Sequence, residues 1–365
     1  MLRQLNRLTR PVGGTGPGVH AIAVYAEAES AERGDADRLR SALERGVEGV
    51  ACVDDAARAV VLYCALWTEY GIPHARVAAR GLLRFLDYMQ DDDGRFNNFI
   101  LDWAGHKNRD GSTSYPGGPQ WQARGLHAMA CAAATFPGEG WDERFSRGVA
   151  WIEDMPYLDV RAVCVLAALR HWEATGNSRS ADRAIAWSEL IADGRLRDGR
   201  LPNAAGGQSI HWWGHVQEAA LAVAGRAFGR PDLIEHARAS AETLLLPAAQ
   251  QCLTLRNLQP FDVSCVVAGL DAVGNTSDDL RFAAGAAMAR GWFLGANSAG
   301  QAVYDRERGR VYDGIDEGRL SRNSGAESNI ESALALLHQM RPNRVVEPRN
   351  SRRVGPERRP AQVLA

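Results

Sequence analysis

The sequence predicts an all-α protein folded as an (α/α)6 toroid, six inner helices ringed by six outer ones. Three observations lead there. Helical apolar patterns fill the chain while strand signals are few, and the helical stretches come in pairs joined by short links. The first member of each pair is the more apolar, as in VRAVCVLAAL, QEAALAVAG and VSCVVAGLDAV, whereas second members such as DLIEHARASAETLL carry more charge. A helix apolar nearly all round is a buried one. The links between pairs are longer, notably 91–118 and 296–323, so connections alternate short and long.

In chain order, a first helix is expected near 19–33. Five pairs follow: 55–70 with 74–90 across GIPH, 119–136 with 140–155 across PGEG, and 158–176 with 178–197 at Gly176-Asn177. Next come 214–229 with 231–249 at Gly229-Arg230-Pro231, and 263–274 with 278–295 across GNTSD. A last helix spans 324–340, and the lone first helix should pack beside it to close the ring. Gly, Pro and Asn sit at these breaks, where helix ends require them. Residues 1–340 read as one domain. The Arg- and Pro-rich stretch 341–365, with few aromatics, reads as a disordered tail.

The 365 residues are 45% hydrophobic and 24% charged, the composition of a soluble globular protein. A net charge of −2 gives no reason to expect a nucleic-acid partner, and no apolar run approaches the roughly 20 residues of a membrane span. The N-terminal stretch MLRQLNRLTRPVGG has no apolar core after its cations, unlike a signal peptide. Six cysteines, none in a CxxC pair and four among apolar neighbours, suggest reduced thiols and a cytoplasmic protein.

In a toroid the inner helices are parallel, so their starts converge on one face. Polar residues at those starts are the candidates for a shared pocket: Asp54, Asp55 and Arg58; Trp121, Gln122 and Arg124; Asp159 and Arg161; Trp212, Trp213, His215 and Glu218; Asp262; and Glu327. Asp54 and Asp55 stand together at the head of an apolar run. One acid suits a helix cap or first turn; two exceed what a cap needs. The expectation is that one caps and Asp55 faces the pocket. A DDxxD metal motif fails because position 58 is Arg58, and a DxDD motif fails because position 52 is Cys52. The loop DDDGRFNNFILDWAGHKNRDGS opens with a turn at Asp91–Gly94 and then gathers Asn98, Asp102, Trp103 and His106; aromatics beside amides and acids suit a sugar. In SIHWWGHVQEAA, Trp212 and Trp213 offer a stacking platform, and the spacing of His211 and His215 would suit a metal only if both lay on one helix. GGTGPG lacks the rest of a phosphate-binding loop, and no GxSxG elbow is present.

Three blocks carry a resemblance. GVACVDDAARAVVLY, GRFNNFILDW, and GWFLGANSAGQAVYDRERGRVYDGI followed by NSGAESNIESALALL resemble a bacterial helical domain found alone or fused behind retaining glycosyltransferases, itself similar to the six-hairpin glycosidase superfamily. Asp54, Asp55 and Arg58 match its first motif; Arg95, Phe96, Asn98 and Phe99 its second; Asn323, Gly325, Ala326, Glu327 and Ser328 its third. The likeness spans about 47–340. Ala56 departs from the family's Asn. GSTSYPGGPQWQARG retains Gly111, Ser112 and Arg124 but lacks the family's two acids there; if those acids act in relatives, this chain would bind sugar without cleaving it.

The resemblance implies a carbohydrate-active toroid acting on an oligosaccharide or glycan, with a glycosyltransferase as a possible partner and no metal or cofactor. The leading expectation is a glycoside hydrolase with Asp55 and Glu327 as its acid/base pair, since such hydrolysis uses two carboxyl groups. The alternatives are a sugar epimerase or isomerase using His106 and His215 as bases, and a non-catalytic glycan-binding subunit. In each case Asp55, Arg124, His215 and Glu327 are expected to line one pocket walled by Trp103, Trp121 or Trp212.

Overall fold

The computed structural model describes residues 2–28, 37–39 and 48–337. The expected tail at 341–365, and the last three residues of the helix expected at 324–340, lie outside them.

Five hairpins follow the expected order. They are α2 (Val53–Thr68) with α3 (Pro73–Met89), α4 (Pro119–Thr135) with α5 (Trp141–Gly148), and α6 (Leu158–Thr175) with α7 (Ser178–Asp193). Then come α8 (Gln217–Phe228) with α9 (Pro231–Ser240) and its continuation α10 (Leu246–Gln251), and α11 (Pro260–Gly274) with α12 (Leu280–Gly291). Each link uses local chemistry. Asn177 and Asp279 cap α7 and α12 through their side chains, and Gly176 and Gly229 end α6 and α8 with left-handed backbone. A π turn at Ala241–Leu245 joins α9 to α10 just before Pro247, whose missing N–H interrupts the helical ladder.

Outer α3 buries a stripe, Ala75, Ala79, Leu82, Leu83 and Leu86, at helical spacing. Inner α6 is buried from Leu158 through Ala162 without a break, as a helix must be when it is enclosed on all sides. The inner helices α2, α4, α6, α8, α11 and α13 (Ala326–Leu336) each touch the next, and α13 touches α2, so the ring is closed.

The first helix is a correction. Residues expected to begin a helix at 19 instead form β2 (His20–Ile22) and β3 (Ala26–Ala28). β2 pairs with β1 (Thr9–Pro11), and Ala23 bridges Ala51. The helix that packs against α13 is α1, Leu2–Leu8. The pattern AIAVYAEA has high helix propensity, but tertiary pairing overrides propensity where a strand partner is at hand; residues 29–33 of the expected helix lie outside the described residues.

Short strands position the loops over the helix starts. β3 also pairs with β4 (Asp37–Leu39). β5 (Ala51–Cys52) pairs with β6 (Phe99–Ile100), which ties the loop 91–118 to the head of α2. Further along, β7 (Tyr304–Asp305) pairs with β8 (Arg310–Val311), and β9 (Ile315–Asp316) with β10 (Arg319–Leu320). The loop 91–118 begins at the expected turn, where the Gly94 N–H donates to Asp91 O at 2.9 Å. Gly94 has φ +91°, and a Cβ there would lie 2.3 Å from the Arg147 carbonyl oxygen. Gly94→Ala is therefore expected to cost about 1–3 kcal/mol, read as a lower midpoint in urea denaturation.

Candidate active site

A cavity of about 530 Å³ opens where the starts of α2, α4, α11 and α13 meet. Asp54, Asp55 and Arg58 enter it from α2, Gln120 and Trp121 from α4, Phe261 from α11, and Glu327 and Ser328 from α13. Trp213, just before α8, and Asn98, Phe99 and Thr113, from the loop after α3, complete much of the wall.

The head of α2 explains the paired acids. Neither acid is the cap. Cys52 is, its Sγ accepting from Asp55 N at 3.4 Å, and Asn98 Oδ1 accepts from Asp54 N at 3.1 Å. Both carboxyl groups are thereby released to face Arg58. Its Nη2 donates to Asp54 Oδ2 at 2.9 Å and Asp55 Oδ1 at 2.7 Å, and its Nη1 to Glu327 Oε1 at 2.8 Å and Glu331 Oε1 at 2.7 Å. Arg124 also pairs with Asp54 and lies 4.5 Å over the Trp213 ring, whose Nε1 donates to Glu327 at 2.9 Å.

The two neighbouring acids diverge electrostatically. Burial by itself would raise the Asp54 carboxyl, but Arg124 and Arg58 hold it below its ordinary value. Asp55 is raised to about 7: burial is the main cause, Arg58 opposes it, and Glu327 and Asp54 add to it. Asp262 rises to about 6, chiefly through burial, with backbone hydrogen bonding from Gln259 opposing and Glu327 adding.

Of the residues expected from sequence, Asp54, Asp55, Arg58, Asn98, Trp121, Trp213 and Glu327 line this cavity. Arg124 stands behind it and lines a small neighbouring void with Asp159 and Gln120. The rest are placed elsewhere. His215 is fully buried and binds Glu218, at 3.0 Å to Oε2; Ser240 also donates to that carboxyl group, at 2.6 Å to Oε1. Gln122 is fully buried and braces loops, accepting from Phe96 N and donating to Gly94 O and Gly148 O. Asp262 closes a capping box with Gln259 at the start of α11. Asp102 folds its own loop by accepting from Ala104 N and His106, whose ring is 72% exposed. Trp103 and Trp212 pack against the core and are not among the residues that line the cavity. The expectation that four helix-start residues share one pocket thus holds for Asp55 and Glu327 and fails for His215 and Arg124.

Sequence reasoning missed Tyr25, Gln259 and Asp313, which reach the cavity from loops, and Glu331, the fourth carboxyl partner of Arg58. Glu331 was detectable: it follows Glu327 by four residues, one turn along the same helical face.

No protein-family model matches the chain, and no curated protein matches it. Solved structures do. A sugar epimerase from a ruminal bacterium superposes with a TM-score of 0.66 at 12% identity, covering 93% of this chain and 95% of that one. Cellobiose 2-epimerase from Spirochaeta thermophila gives 0.66 at 11% identity, with 93% of each chain covered. An inactive variant of an α-1,6-mannanase from Salegentibacter, bearing Asn in place of two adjacent aspartates and bound to α-1,6-mannotriose, gives 0.62 at 10% identity over 92% and 95%. The chain has the six-hairpin glycosidase-like fold. Among these solved structures the same toroid serves sugar epimerases and an α-1,6-mannanase. Among the described residues no helix is long and apolar enough to cross a membrane.

Proposed function

We propose that this toroid is a glycoside hydrolase acting on an oligosaccharide, with Asp55 as general acid and Glu327 as its partner carboxylate. One observation carries the reading. Asp55 from the first hairpin and Glu327 from the last inner helix border one cavity and share one guanidinium, and burial raises Asp55 to about 7. Glycoside hydrolysis needs this division: one carboxyl protonates the leaving oxygen, and the other acts as base or nucleophile. Glu327 accepts hydrogen bonds from Arg58 and Trp213, which orients it as an acceptor. Trp121, Phe99 and Phe261 supply apolar faces against which sugar rings can stack. The adjacent aspartates changed in the inactive mannanase are a further parallel to Asp54 and Asp55.

Epimerisation fits less well. It calls for a base on each face of the substrate, and its candidate histidines stand apart from the cavity, His106 exposed on a loop and His215 sealed against Glu218. The test is a screen of neutral and charged oligosaccharides for released reducing ends, run in deuterated solvent. Release that disappears in Glu327→Gln supports hydrolysis. Deuterium entering a sugar carbon without new reducing ends would replace it with epimerisation. Calorimetric binding without either would make the protein a glycan-binding subunit, the form in which partnership with a glycosyltransferase is most natural.

A further inference from the structure

The charges around the cavity carry a conclusion about what it admits, resting on the reading that its ligand is a sugar. Four lining residues are acids, Asp54, Asp55, Asp313 and Glu327; among the described lining residues the one cation is Arg58. A guanidinium has five N–H donors, and here all five are engaged. Nε donates to Asp54 O, Nη1 to Glu327 and Glu331, and Nη2 to Asp54 and Asp55. Arg124 is turned away, its charge paired with Asp54 and its face on Trp213. The starts of four inner helices point their positive ends at the same space and by themselves would favour an anion. Three of those starts already hold first-turn acids, Asp54 and Asp55 on α2, Asp262 on α11 and Glu327 on α13. Asp54 Oδ1 is buried and has no hydrogen-bond partner, so the charge behind the wall is not fully matched. A ligand anion would meet carboxyl groups and no available guanidinium. A hydroxyl or ammonium group would meet acceptors.

We infer that the cavity takes neutral or amino-bearing sugars and rejects sugars that carry a carboxylate, sulfate or phosphate. The test uses full-length Asp55→Asn, which blocks the proposed acid while keeping an uncharged, isosteric side chain. It is applied to an array of neutral, amino and acidic glycans. The best neutral or amino ligand, and its uronic-acid counterpart of the same backbone and linkage, are then titrated calorimetrically at low and high salt. The acidic member should bind more weakly by about tenfold or more, and the gap should shrink as salt screens the carboxylates. An acidic glycan binding as tightly as its neutral counterpart overturns the inference. So does a gap indifferent to salt, which would mark a steric cause. An array with no bound glycan overturns the sugar reading together with the inference. If the charge ordering holds while Asp55→Asn and Glu327→Gln keep full activity, the inference stands and only the acid/base assignment falls.

Discussion

Arg58→Leu is expected to lower the stability of the fold at pH 7 by about 3–5 kcal/mol and to abolish activity with it. The guanidinium is nine-tenths buried and touches Asp54, Asp55, Glu327 and Glu331. Leucine leaves those carboxyl groups crowded in a low-dielectric space, with Arg124 still paired to Asp54. The cation that opposes the rise of Asp55 and helps hold Asp54 down is gone, so the folded pKa values of both aspartates move up. Groups shifted that way lend stability at low pH and lose it as pH rises through the folded pKa. The deficit should therefore be largest at neutral and alkaline pH and shrink on acidification. Urea denaturation at several pH values checks this. Arg80→Ala serves as the control: its pair with Glu139 is 29% and 38% exposed, and its loss should cost no more than about 1 kcal/mol. A pH-independent deficit in Arg58→Leu would show that the residue serves packing alone.

Asp55→Asn should reduce turnover by roughly 10²–10⁴-fold, the usual contribution of a positioned general acid. Wild-type kcat/KM should fall as pH rises through about 7, where Asp55 loses its proton, and the residual activity of the variant should lack that alkaline limb. The stability of the variant relative to wild type moves the other way. The folded carboxyl holds its proton up to about 7 while the unfolded one releases it near 4. Wild type thus loses stability between those values, and the variant, with nothing to ionise, does not. The stability of Asp55→Asn relative to wild type should rise across that window. A variant crippled in catalysis yet gaining stability relative to wild type as pH rises would mark Asp55 as held for chemistry rather than for the fold.

The ring was legible because its cues are local. Pro at the heads of α3, α4, α9 and α11, Gly at 176 and 229, and all-round apolarity against one-sided stripes set the hairpins and their phase. The site was legible only to the level of helix starts. A start places a residue at the right height, but successive helical residues point about 100° apart, so height does not fix direction. Gln122 and Arg124 follow Trp121 within one turn of α4, yet of the three only Trp121 faces the cavity. Trp212 and Trp213 are sequence neighbours, and only the second reaches Glu327. Residues delivered by loops, such as Tyr25 and Asp313, were invisible, because their positions depend on strand pairings that a two-residue strand hardly announces.

The proposed acid and base are joined through Arg58 where the last inner helix returns to the first: Arg58 holds Asp55 and, 269 positions along the chain, Glu327. Contacts of such long separation form late, since the loop they close must be ordered before they reward it. During synthesis the first five hairpins can collapse on their neighbours before Glu327 has left the ribosome. Such an intermediate would carry most of the final helix and Asp55, but not its partner Glu327. Recovery of activity on refolding should therefore lag behind recovery of helical circular dichroism, and the delay between the two would time the closing of the ring.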